Sequence, residues 1–189
     1  MFQPGELVSH PIYGLCRIHA IQKAKGFGKS EEDCFVFLIG SSQNKTTVFL
    51  PVRQAGEAGL RYPITRIQAE GLLRILQMPA DGVYADLQPQ EVLERFAACL
   101  HQSDIFKLAE AVRNFSKLGF ADTDFYFENL NSRKREQILF DRAVGKLIEE
   151  LSLSSGSTGR EMRKKIRLCL KKAKPVFLGK RKMAATVLN

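Results

Sequence analysis

The chain has no tryptophan, only three histidines, and four cysteines that stand far apart. Cys16, Cys34, Cys99 and Cys169 form no CxxC pair, so the clustered soft ligands of a zinc site are missing. A disulfide framework needs denser cysteines, so four reduced thiols of a cytoplasmic protein are expected. No apolar run approaches the ~18 residues that a membrane span requires. The start, MFQPGELVSHPIYG, lacks the basic-then-apolar order of a secretory signal. A nucleophile–base pair drawn from Cys16, Cys34, Cys99 and His10, His19, His101 finds no support in spacing. His101 follows Cys99 by two residues on an expected helix, so the two point apart. The expectation is a protein that is not an enzyme and uses no cofactor and no metal.

What is present is positive charge, unevenly placed. The 189 residues carry 29 basic and 20 acidic side chains, net +9. Residues 1–78 are net +3 and residues 79–151 net −4, while residues 152–189 reach +10 with Glu161 as their single acid. A polyanionic partner is therefore expected to meet the end of the chain.

The first part reads as strands. Leu7-Val8, Leu15 to Ile21, Cys34 to Ile39 and Thr46 to Leu50 are short apolar or alternating runs bounded by Gly, Pro, Asn and Ser. So few strands hide an apolar face best by curling, so a small barrel of about five strands is expected over residues 1–63. Residues 23–33, with Gly26 and Gly28, read as a polar hairpin loop. They lack the Lys-Ser/Thr ending and following helix of a phosphate loop.

The period then changes to helical. Thr65 and Gln68 form a capping box for a junction helix over 64–78 that ends before Met78-Pro79. A helical domain over 79–175 follows. Pro89 suits a first turn ahead of Val92, Leu93, Phe96 and Leu100. Ser103 is the expected N-cap of a second helix, with Ile105, Leu108, Ala109, Val112 and Phe115 as its stripe and Gly119 at its end. Phe125, Tyr126 and Phe127 are expected in the core, and Asn131 or Ser132 as the cap of a third helix carrying Leu139, Ala143, Leu147 and Leu151. Residues 152–159 read as a flexible connection. Beyond it, Met162, Ile166, Cys169, Leu170 and Ala173 fall on one face of a basic helix ended by Pro175. Residues 176–189 read as a basic, flexible tail. The fold class is α+β.

Four segments, in order, carry a resemblance. FQPGELVSHPIYGLCRIHAI, TTVFLPV with AGLR at 58–61, SDIFKLAEAVRNF, and LNSRKREQILFDRAVGKLIEEL resemble the CarD/CdnL transcription regulators. The first also resembles the polymerase-interacting domain of transcription-repair coupling factor. The resemblance implies a Tudor-like N-terminal domain that binds the RNA polymerase β subunit, and a helical domain against promoter DNA that stabilises the open complex. The protein is expected to be a monomer in the cytoplasm, associated with the nucleoid and not with a membrane. The alternative is a polymerase-bound protein–protein adaptor without DNA contact.

An exposed strand edge accepts a partner strand. The candidate edge is Lys45, Thr47, Val48, Phe49, Leu50 and Pro51. The family's minor-groove tryptophan is absent here, with Pro89 in its slot, which leaves Tyr84 or Leu87 as apolar wedge candidates. The candidate phosphate contacts, on DNA minor groove or backbone, are Arg133, Lys134 and Arg135, and then Arg163, Lys164, Arg167 and Lys171.

Overall fold

The computed structural model describes residues 1–25, 30–40, 44–84, 86–118 and 135–173. Strands β1 (Leu7–His10), β2 (Gly14–Lys25), β3 (Glu31–Gly40) and β4 (Lys45–Pro51) form one antiparallel sheet in the order β1-β2-β3-β4. Helices α1 (Arg66–Ile75), α2 (Pro89–Leu100), α3 (Ile105–Lys117), α4 (Arg135–Ser155) and α5 (Gly159–Lys172) follow. Among the described residues, four strands stand against the expected five or so. The nearest thing to a fifth is an isolated antiparallel bridge between Ser9 and Arg61, with both backbone hydrogen bonds made.

Strand β2 is longer than the residue pattern suggests. It continues to Lys25 because Lys23 stands opposite Asp33 and Lys25 opposite Glu31, and opposite charges across an antiparallel pair stabilise it. A bulge between Ile18 and Ala20 bends β2, so its first residues pair with β1 and its later ones with β3. The bend wraps the sheet around a small core of Val8, Cys16, Ile18, Phe35, Phe37, Ala55 and Leu60.

The helices enclose a second, larger core. It runs from Ile64 through Leu72, Leu76, Phe96, Val112, Phe115, Phe140, Leu147 and Leu151 to Met162 and Ile166. Phe115 stacks on Phe96 at 4.2 Å between ring centroids and lies 6.2 Å from Phe140. Helix α1 buries Ala69, Leu72 and Leu73 in this core, so the junction helix belongs to the bundle. Its capping box is formed by Thr65 and Gln68.

Some local boundaries differ from expectation. Asp104, not Ser103, caps α3, because its carboxylate accepts from the backbone N–H of both Phe106 and Lys107. The expected flexible connection is mostly helix. Helix α4 continues through Ser155, where the Ser154 and Ser155 hydroxyls each donate to the Leu151 carbonyl. Gly156, at φ +66°, turns the chain, and Thr158 with Glu161 forms the capping box of α5. Gly26, Gly28, Gly119, the Phe125–Phe127 cluster, Asn131, Ser132, Pro175 and the tail lie outside the described residues.

Candidate docking edge and nucleic-acid interface

Strand β4 pairs with β3 on one side only, and among the described residues no strand pairs with its other side. The opposite edge of the sheet is treated differently, since Arg61 bridges Ser9 of β1. The β1 edge thus carries a backbone partner at Ser9, whereas the outer backbone groups of β4 have no strand partner among the described residues. Alternation along β4 places Val48 and Leu50 against the inner core, opposite Phe37 and Phe35. Lys45, Thr47, Phe49 and Pro51 take the other face, where Phe49 stands opposite Val36 and Thr47 opposite Leu38. Phe49 is 48% exposed, and Leu38 beside it is exposed as well. The strand chosen from the sequence is therefore an open edge with an apolar side chain on its outer face.

The two wedge candidates fare worse. Tyr84 is only 7% exposed and sits in the helical core, and burial pushes its phenol up to about 12. Leu87 is half-buried and packs on the same core. A wedge needs a protruding apolar plate, so neither side chain meets that requirement. The loop that holds them is tied down by residues the sequence reading missed. Arg113, 4% exposed, donates to Asp81 at 2.8 Å and to the Asn114 side-chain oxygen at 3.1 Å. Asn114 in turn donates to Asp81 at 2.7 Å.

Helix α5 buries Met162, Ile166, Cys169 and Leu170, as its periodicity implies. Its remaining surface carries Arg160, Lys164, Lys165, Lys171 and Lys172, all exposed, with Arg163 and Arg167 half-buried. Leu168 stands among them at 58% exposure. Glu161, the one acid, is engaged by the cap: its carboxylate accepts from Thr158, which holds its pKa below the ordinary carboxylate value. The helix therefore presents a row of cations in which Glu161 is the one acid. Arg135 is exposed in the first turn of α4, while Arg133 and Lys134 lie outside the described residues.

Between sheet and bundle lies a polar seam. Glu150 of α4, whose side chain is 5% exposed, meets Arg61 at 2.5 Å. His10 accepts the backbone N–H of Ile12 at Nδ1, 3.1 Å away, and burial lowers its pKa. Lys146 donates to the carbonyls of Pro11 and Leu100, and its pKa is lowered by the same cause. Burial also raises the four thiols, Cys16 to about 11, which disfavours thiolate chemistry at pH 7. Among the described residues no group of three His, Cys, Asp or Glu side chains is placed to hold a metal. None of the described helices is long and apolar enough to cross a membrane.

No curated protein matches the chain. The sheet does have a match: residues 2–65, ending at the Thr65 cap of α1, match the family model of the CarD-like/TRCF RID domain.

Proposed function

We propose that this protein is a non-enzymatic bacterial transcription regulator that docks on the RNA polymerase β subunit through β4 and holds promoter DNA against the bundle. The observation that carries the reading is the open outer edge of β4, within the segment that matches the RNA-polymerase-interacting domain family. A polymerase strand added there gains main-chain hydrogen bonds, and Phe49 offers it an apolar contact. The cations of α5, with Arg135, supply the DNA contact. Lys164 and Lys165 are its exposed centre, flanked by Arg163, Arg167 and Lys171. Such contacts hold the phosphate backbone without reading sequence, in keeping with a factor that stabilises melted DNA at many promoters. The protein is a cytoplasmic, nucleoid-associated monomer in this reading and needs no cofactor.

The direct test is the lifetime of polymerase–promoter open complexes challenged with competitor, with and without the protein. A longer lifetime is expected, and an unchanged one contradicts the proposal. A second reading is favoured by the acidic 79–151 segment: an adaptor that binds polymerase and leaves DNA alone. Salt dependence separates the two. Removing one phosphate contact with Lys164→Ala lowers the slope of log K against log[salt] by about 0.9. A slope unaltered by Lys164→Ala and Lys165→Ala together favours the adaptor.

A further inference from the structure

The two apolar cores do not merge. The sheet core ends with Leu60 and the bundle core begins with Ile64, and no residue is shared between them. Between them lies the polar seam around Glu150, Arg61 and Lys146, bordered by Pro11, Ile105 and Leu108. With no apolar cluster common to both parts among the described residues, the rotation of the sheet on the bundle depends on the directional contacts of that seam. The tether is short, with Arg61 only four residues before the Thr65 cap, but a short tether limits separation more than rotation.

The seam converges on one carboxylate. Glu150 accepts from Ser9 Oγ at 2.8 Å, from Arg61 Nη1 at 2.9 Å and Nη2 at 2.5 Å, and from the backbone N–H of Ile64 at 3.2 Å. The donors come from β1, from the segment bridged to β1, and from the approach to α1. The acceptor is on α4. Arg61 also donates through Nε to the Ser103 carbonyl at 2.7 Å, so one guanidinium spans α4 and the α2–α3 turn. Two glycines let the surfaces close. A Cβ on Gly14, at φ +71°, would lie 2.6 Å from Glu149 Oε2. One on Gly59, at φ +77°, would lie 2.8 Å from Ser103 Cβ.

We infer that the Glu150–Arg61 clamp sets the orientation of the sheet on the bundle, so that both are positioning residues for a protein that must meet two surfaces at once. Directional hydrogen bonds to a buried charge tolerate few alternatives, because any rotation that breaks them strands a carboxylate away from water. The bidentate guanidinium fixes a plane as well as a distance. The orientation itself needs neither polymerase nor DNA. Its value for spacing the β4 edge from α5 rests on the proposed function.

The test reads orientation directly. Spin labels are placed at His19→Cys and Ala98→Cys, two exposed sites away from β4 and α5, in a Cys99→Ser background. The other three cysteines are buried. Electron–electron distance measurement on the full chain should give one narrow peak. Glu150→Gln and Arg61→Met should each broaden it at least about twofold while the circular dichroism of helix and sheet is kept. Where a lone buried charge unfolds a single variant, the Arg61→Met/Glu150→Gln double variant carries none and should still broaden the peak. An unchanged width in the double variant overturns the inference. A broadened peak alongside a wild type that fails to bind polymerase upholds the clamp and defeats the docking reading.

Discussion

The sheet and the bundle hide their apolar surface to very different degrees. Among the described residues, seven buried side chains form the core of the sheet and twenty-six that of the bundle. The bundle closes on itself and leaves charge outside. Among the described residues, the sheet has four strands, bridges Ser9 on one edge to Arg61 and leaves β4 open on the other. The larger core provides a platform, and the smaller one supplies an unsatisfied edge that a partner can complete. Unfinished hydrogen bonding is thus the feature on which the proposed docking draws in one region, and surplus charge the feature on which the proposed DNA contact draws in the other.

The sharpest way to break this comparison is to damage each core separately. Phe115→Ala removes the ring stacked between Phe96 and Phe140, and the expected loss is about 3–5 kcal/mol by urea denaturation. Phe37→Ala, fully buried in the sheet, should cost about the same. Hydrogen exchange then decides whether the cores are separate. Phe37→Ala should lower protection in β2–β4 more than in α2 and α3, and equal loss throughout would erase the distinction.

A smaller effect is expected from Asp81→Ala. It removes one of the two side chains, Asp81 and Asn114, that accept from the buried Arg113 guanidinium, which costs about 2–3 kcal/mol because Asp81 is itself partly exposed. A loss under about 0.5 kcal/mol in the same titration would mean that the 79–88 loop is held by packing alone. Thr158→Ala removes the cap of α5 and should cost about 1 kcal/mol, with fraying of the cationic helix visible as faster exchange at Glu161 and Met162.

The smallest effect is a slope. Burial, with Lys146 nearby, lowers the pKa of His10 from its ordinary 6.5, so the unfolded chain takes up that proton more readily than the folded one. Stability is therefore lost as pH falls below about 6.5. His10→Asn should flatten the stability curve in that window, and an unaltered slope would mean that the imidazole takes up its proton equally readily in the folded and unfolded chain.

These expectations also mark what the residues announce and what they conceal. Alternation and turn residues locate all four strands, and 3.6-residue spacing locates α2, α3 and α5. The Thr65–Gln68 box is local and can be read directly. Tyr84 is buried although its neighbours in sequence are loop-like, because the core it joins is built from helices distant in sequence. Glu150 follows Glu149 and resembles an ordinary solvated pair, yet its partners Ser9 and Arg61 are 141 and 89 residues away. The Arg113–Asp81 pair spans 32 residues. Local periodicity shows which face of an element turns inward. It does not show which buried charge will find a partner, since that depends on how the elements assemble.

Docking through β4 is tested most directly by pull-down with the isolated β lobe of bacterial RNA polymerase, comparing wild type with Phe49→Asp. Phe49 is exposed, so the substitution should leave stability within about 0.5 kcal/mol. Capture of the wild type and loss of the Phe49→Asp variant is the predicted result. Absence of binding by either protein, or equal binding by both, would contradict a docking edge at β4.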